Sequence, residues 1–145
     1  IYKAIELYVS RRQKYVKAEG EDLKSILTGI MQFKGNIHIS FNEPLTAEEI
    51  HSAAGLDKNE RFKALGLAMD RKIISAYKLW KNNYIAYDIL NSSNEYASMY
   101  SAQEKEAFIT YMENKLVDAD ADKAELEHIF LSIYANPVVS ERGLK

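Results

Sequence analysis

The sequence predicts an α+β protein that is mostly α, with one strand at about 36–41 followed by a bundle of four to five helices. Three observations predict it. Asn36-Ile-His-Ile-Ser-Phe41 alternates strictly, with Ile37, Ile39 and Phe41 on one face and Asn36, His38 and Ser40 on the other. Almost everything else reads helical, with apolar residues three or four apart. Thr46-Ala-Glu-Glu49 and Ser101-Ala-Gln-Glu104 are capping boxes, a signature of helix starts. A lone strand leaves its N–H and C=O groups without partners, and even a hairpin is marginal in water. The rest of the sheet is therefore expected from another chain or from sequence beyond this one.

Taken in order, Tyr2 to Val9 is apolar and mixed, compatible with a short helix or a strand, and Ser10 to Gly20 is a polar, basic loop. Glu21-Asp22 places acid where a helix dipole favours it, and Leu23, Ile26, Leu27, Ile30 and Met31 follow at helical spacing. Lys34-Gly35 introduces the strand and Glu43-Pro44 closes it. Behind the Thr46 box, Ile50, Ala53 and Ala54 form a short helix that Gly55 stops. The longest helix starts near Asp57, with Phe62, Leu65, Met69, Ile73, Ala76, Tyr77 and Trp80 as its stripe, and Phe62, Leu65, Met69, Ile73 and Trp80 as the main buried face. Asn82-Asn83 interrupts or bends it, Tyr84 to Leu90 resumes, and Asn91-Ser-Ser-Asn94 ends that run. The Ser101 box opens a helix containing Phe108, Tyr111, Met112 and Leu116. Asp120 or Asp122 caps the last helix, which carries Leu126, Ile129, Phe130, Ile133 and Tyr134 and ends at Asn136-Pro137.

With 145 residues, 47% hydrophobic and 28% charged, the chain has material for one ordinary core. The absence of cysteine excludes disulfides and thiolate metal sites and fits a reducing compartment. No apolar run approaches the roughly 18 residues of a membrane span. Ile1-Tyr-Lys-Ala4 is no signal peptide and carries no initiator Met, which agrees with a truncated beginning. The net charge of −2 does not point to nucleic acid. It is unevenly spread: residues 1–35 hold seven Lys/Arg against four acids, residues 36–145 twelve against seventeen.

Chemistry is sparse. His38, His51 and His128 have no second His at zinc-ligand spacing and read as surface or packing residues. Asp118-Ala-Asp-Ala-Asp122 begins like a calcium loop, but Lys123 and Ile129 stand where that loop requires Gly and Glu, leaving an acidic helix start. No phosphate loop or nucleophile elbow is present. Arg11, Arg12, Lys14 and Lys17, beside Tyr8 and Tyr15, form a basic group able to meet a phosphate or membrane surface, or to remain a solvated loop. The ten tyrosines suit core edges, or a surface that faces a partner or lipid.

Three segments carry a resemblance: Leu27-Thr-Gly-Ile-Met-Gln-Phe-Lys-Gly-Asn-Ile-His-Ile39, Ile74-Ser-Ala-Tyr-Lys-Leu-Trp-Lys-Asn-Asn-Tyr-Ile-Ala-Tyr-Asp-Ile-Leu90 and Tyr134-Ala-Asn-Pro137. Together they resemble the C-terminal portion of bacterial proteins of the phospholipid/glycerol acyltransferase superfamily, and Gly35 to Pro44 resembles a late strand of its catalytic sheet. The resemblance implies that residues 1–45 end a catalytic domain and that 46–145 form a helical appendage. It implies transfer of an acyl chain from acyl-CoA or acyl carrier protein to a glycerol-phosphate or lysophospholipid hydroxyl, without a cofactor or nucleic acid. A cytoplasmic place at the periphery of the inner membrane goes with that chemistry. The family's His-x-x-x-x-Asp motif is missing, because Glu43, Leu56 and Ile133 stand five residues after His38, His51 and His128. No catalytic residue carries over. A freestanding helical adaptor and a lipid-surface binding module are the alternatives.

Overall fold

The structure, a computed structural model, describes residues 2–33, 35–117 and 121–144. Over these the chain forms seven helices and no strand. They are α1 (Tyr2–Ser10), α2 (Glu21–Met31), α3 (Ala47–Ala54), α4 (Lys58–Ser75), α5 (Lys81–Leu90), α6 (Ala102–Leu116) and α7 (Lys123–Arg142), with a 3₁₀ turn at Ala97–Met99. The α+β expectation is thereby overturned. Residues 37–46 carry no regular structure. Among the described residues, no backbone–backbone hydrogen bond involves 35–45. Alternation specifies two faces, but only a neighbouring ladder makes a strand.

Helix starts follow local chemistry. Thr46 Oγ1 accepts from Glu49 N at 3.1 Å while Glu49 Oε2 accepts from Thr46 N at 2.7 Å. Ser101 and Glu104 repeat the arrangement at 3.2 and 2.8 Å. Asp57 Oδ1 caps α4 by accepting from Asn59 N and Glu60 N. Asp122 caps α7 through Glu125 N, while Asp118 and Asp120 lie outside the described residues.

Two boundaries differ from the sequence reading. The long helix ends at Ser75, and Asn83 belongs to the start of α5, where its Oδ1 accepts from Trp80 N at 2.7 Å. Pro137 does not end α7, which continues to Arg142. A proline inside a helix costs about 3 kcal/mol. Ala135 and Val138, buried on either side of it, offset that cost.

The core lies where α5 and α7 pack along one another, with α1 and α6 closing the sides. Ile85, Ala86, Phe108, Met112, Leu116, Leu126, Ile129, Phe130 and Ala135 are buried there, and Ala4 joins them from α1. Phe108 meets the Tyr134 ring edge-on at 5.3 Å. The stripe expected as the main core is elsewhere: α4 buries none of its residues, and Phe62 is 64% exposed. Helix α4 pairs mainly with the short α3, through Lys72–Glu49 at 3.2 Å and Arg61 Nη2 on the Ala54 and Leu56 carbonyls. An apolar stripe at period 3.6 says that a face can be covered, not that this chain covers it.

None of the described helices is long and apolar enough to cross a membrane. Leu126→Ala should cost about 2–5 kcal/mol in chemical denaturation, the range for a buried large-to-small change. Phe62→Ala should cost about 0.5 kcal/mol or less, as at a surface position.

Candidate functional site

The basic loop is held by acids of its own chain. Arg12 Nη1 donates to Glu125 Oε1 at 2.9 Å, Arg11 lies 3.9 Å from the same oxygen, and Lys17 Nζ is 2.5 Å from Asp22 Oδ1. Arg12 also stacks 3.8 Å over the Tyr8 ring, whose hydroxyl accepts from Asp122 N at 2.9 Å. The hydrogen bond from Arg12 is the main reason the Glu125 carboxyl sits below its ordinary range; desolvation opposes it. Only Lys14 of the four predicted residues has no ion pair among the described residues. The loop therefore fastens α1 to the start of α7.

His38, His51 and His128 lie apart, on the irregular segment, α3 and α7. No group of three His, Cys, Asp or Glu able to hold a metal occurs among the described residues. Among the described residues the buried carboxylate is Asp88, which sequence reading passed over. It is 1% exposed on the core face of α5, beside Ile85 and Ala86. Ser93 Oγ and Tyr100 Oη donate to it at 2.7 Å each, and Tyr96 N at 3.0 Å. Burial is the largest influence and raises its pKa, but the bonds from Ser93, Tyr100, Tyr96 and Glu95 outweigh it and leave the carboxyl below its ordinary value. The same burial, then the bond to Asp88, pushes the Tyr100 hydroxyl up to about 12. With every oxygen engaged from the 93–100 loop, Asp88 is an anchor rather than an acid–base group. The available signal was an acid inside the apolar run Tyr84–Leu90.

Two grooves flank the irregular segment and share Trp80 and Asn83. One, of about 460 Å³, runs between His38, Ser40 and Asn42 and the end of α4 at Ile73, Ala76 and Tyr77. The other, of about 730 Å³, lies between Phe33, Gly35 and Asn36 and the rings of Tyr111 and Tyr134. Asn83 fixes their common wall by donating to Tyr134 O at 2.8 Å. At the rim, Lys81 Nζ holds Glu104 at 2.5 Å, and that bond, with the Ser101 bonds, brings the Glu104 carboxyl down to about 2. These walls can bind; in the first groove the Ser40 hydroxyl donates to Asn42 Oδ1 at 2.9 Å.

The segment presents its faces the opposite way from expectation. The polar side, His38, Ser40 and Asn42, meets the helices, and Asn42 Nδ2 donates to Lys72 O at 3.0 Å. Ile37, Ile39 and Phe41 point to solvent at 68%, 72% and 97% exposure. Helix α2 does the same. Glu21, Lys24, Ser25 and Thr28 line a small cavity against Ile5 and Tyr15, while Leu23, Ile26, Leu27, Ile30 and Met31 are exposed. Among the described residues, α2 buries none of its own and meets α1 only across that cavity.

Compared with protein-family models, curated proteins and solved structures, the chain matches none.

Asp88→Asn should lower stability at pH 7 by about 2–4 kcal/mol, since it replaces charge-assisted bonds and sets an N–H against two donors. The folded carboxyl lies below its unfolded value, near 3.9. Its stabilisation is therefore full above about pH 4 and is lost as pH falls through the lower folded value. Urea melts from pH 7 down to about 2 should show the gap between wild type and variant narrowing below about pH 4.

Proposed function

We propose that this chain is the non-catalytic, helical C-terminal portion of an acyltransferase of the phospholipid/glycerol acyltransferase superfamily. The whole protein then moves a fatty acyl group from acyl-CoA or acyl carrier protein to a glycerol-phosphate or lysophospholipid hydroxyl. One observation carries the reading: two consecutive elements, α2 and residues 37–41, leave their apolar side chains exposed. Monomers rarely expose an apolar patch above a few hundred Å² unless something covers it. The catalytic body of the same polypeptide is the covering surface in this reading.

The sequence resemblance supports it in its placement. Leu27 to Ile39, one of the three resembling segments, overlaps the uncovered elements. Ile74 to Leu90 runs through the link into α5, inside a core that the chain completes alone. The helices thus support a seat, and chemistry belongs to the part seated on it.

The isolated chain should release no thiol from acyl-CoA above background with glycerol-3-phosphate or lysophosphatidate as acceptor. Turnover that His38→Ala abolishes would overturn the reading. The reading frame extended upstream should encode a His-x-x-x-x-Asp motif, and Leu27→Asp in that longer polypeptide should lower its activity at least about ten-fold, the effect of displacing a supporting surface by an ångström. An unchanged rate would make the α2 face irrelevant to catalysis and favour the adaptor.

A further inference from the structure

We infer that residues 37–42 form a strap with two seatings on the end of α4. In the seating described, His38, Ser40 and Asn42 line one side of the groove; in the other, Ile37, Ile39 and Phe41 turn into it. The inference uses this chain's own groove and stands independently of the acyltransferase reading.

Both surfaces of the second seating are on the molecule and adjacent. The groove wall is Ile73, Ala76, Tyr77 and the Trp80 ring, and Ile73 and Tyr77 remain largely exposed beside it. The strap already lies along this wall, so no long movement is needed. In a chain whose side chains alternate, a half-turn about its own axis, or a slip of one residue, exchanges one face for the other. Water favours the apolar face inside.

Little holds the polar face in place. Among the described residues, the hydrogen bond from Asn42 to Lys72 O is what ties the strap to the helices, and Ser40 Oγ bonds only back to Asn42 Oδ1, at 2.9 Å. With no backbone bonds over 35–45, turning breaks no ladder. Gly35, at φ 63°, supplies a pivot at one end, because glycine crosses φ/ψ regions that other residues avoid. At the other end Thr46 is fixed by its capping box, so the turning part is short. The outward seating leaves Ile37, Ile39 and Phe41 exposed, and the inward seating hides them.

Absence of native cysteine makes the test direct. Two double variants, Ile39→Cys/Ile73→Cys and Ser40→Cys/Ile73→Cys, report the inward and outward seatings by disulfide formation under mild oxidation. All three positions lie outside the core, so both variants should keep the wild-type helical circular dichroism, and a denatured control should remove any preference between them. Both pairs should cross-link in the folded chain. Adding Asn42→Ala should raise the Ile39 yield relative to the Ser40 yield about five-fold, the weight of one hydrogen bond. Trp80, the single tryptophan, should shift its emission to the blue in the same variant. Cross-linking of the Ser40 pair alone, unchanged by Asn42→Ala, would establish a single seating and overturn the inference.

Discussion

Asp88 is a negative charge in the middle of an apolar helix face, and its satisfaction constrains everything around it. A buried carboxylate without partners costs several kcal/mol, so the chain after α5 must return with donors. It returns at Ser93, Tyr96 and Tyr100, and Tyr96 then stacks with Tyr84 and Tyr87 at 5.0 and 5.3 Å. This closes the turn between α5 and α6 and leads directly into the Ser101 capping box. From the other side, Arg142 at the end of α7 reaches Glu95 and the Tyr87 hydroxyl, all at 2.6 Å. One loop therefore ties the C-terminal ends of α5 and α7 together, beside the apolar core.

This bundle explains why the molecule divides in quality of packing. Helices α5, α6 and α7 have one another, and α1 is recruited by the Arg12–Glu125 bond and by Ala4. Nothing comparable recruits α2 or residues 37–41. Their polar side chains line open grooves and their apolar side chains are exposed. Under the proposed function this asymmetry is the design: a finished helical body carrying an unfinished seat. Exposed apolar side chains at this density lower solubility when left bare, which is the physical pressure toward a permanent cover.

The helices were legible in the sequence because their determinants are local. Thr46, Asp57, Ser101 and Asp122 sit where their side chains cap a first turn, and the later apolar runs keep a period of 3.6. Less local features were missed. Phe62, Met69 and Ile73 have the right spacing for a core, yet which stripe is covered depends on contacts across the chain. Ile37, Ile39 and Phe41 alternate as a strand does, but pairing needs a partner that alternation does not supply. Pro137 reads as a stop until Ala135 and Val138 are seen to be buried around it. The site residues Arg11, Arg12 and Lys17 looked free because Glu125 lies over a hundred residues from the arginines, and because a single acid, Asp22, settles Lys17.

Native-state hydrogen exchange on the isolated chain tests the division most directly, since amide protection reads local opening free energy residue by residue. Amides of α5 and α7 should exchange only through global unfolding, with the Tyr96 amide protected by its bond to Asp88. Amides of α2 should exchange with opening free energies near zero. Protection of residues 21–31 equal to that of α5 would mean that this chain covers its own apolar face, and would contradict both the division and the seat built upon it.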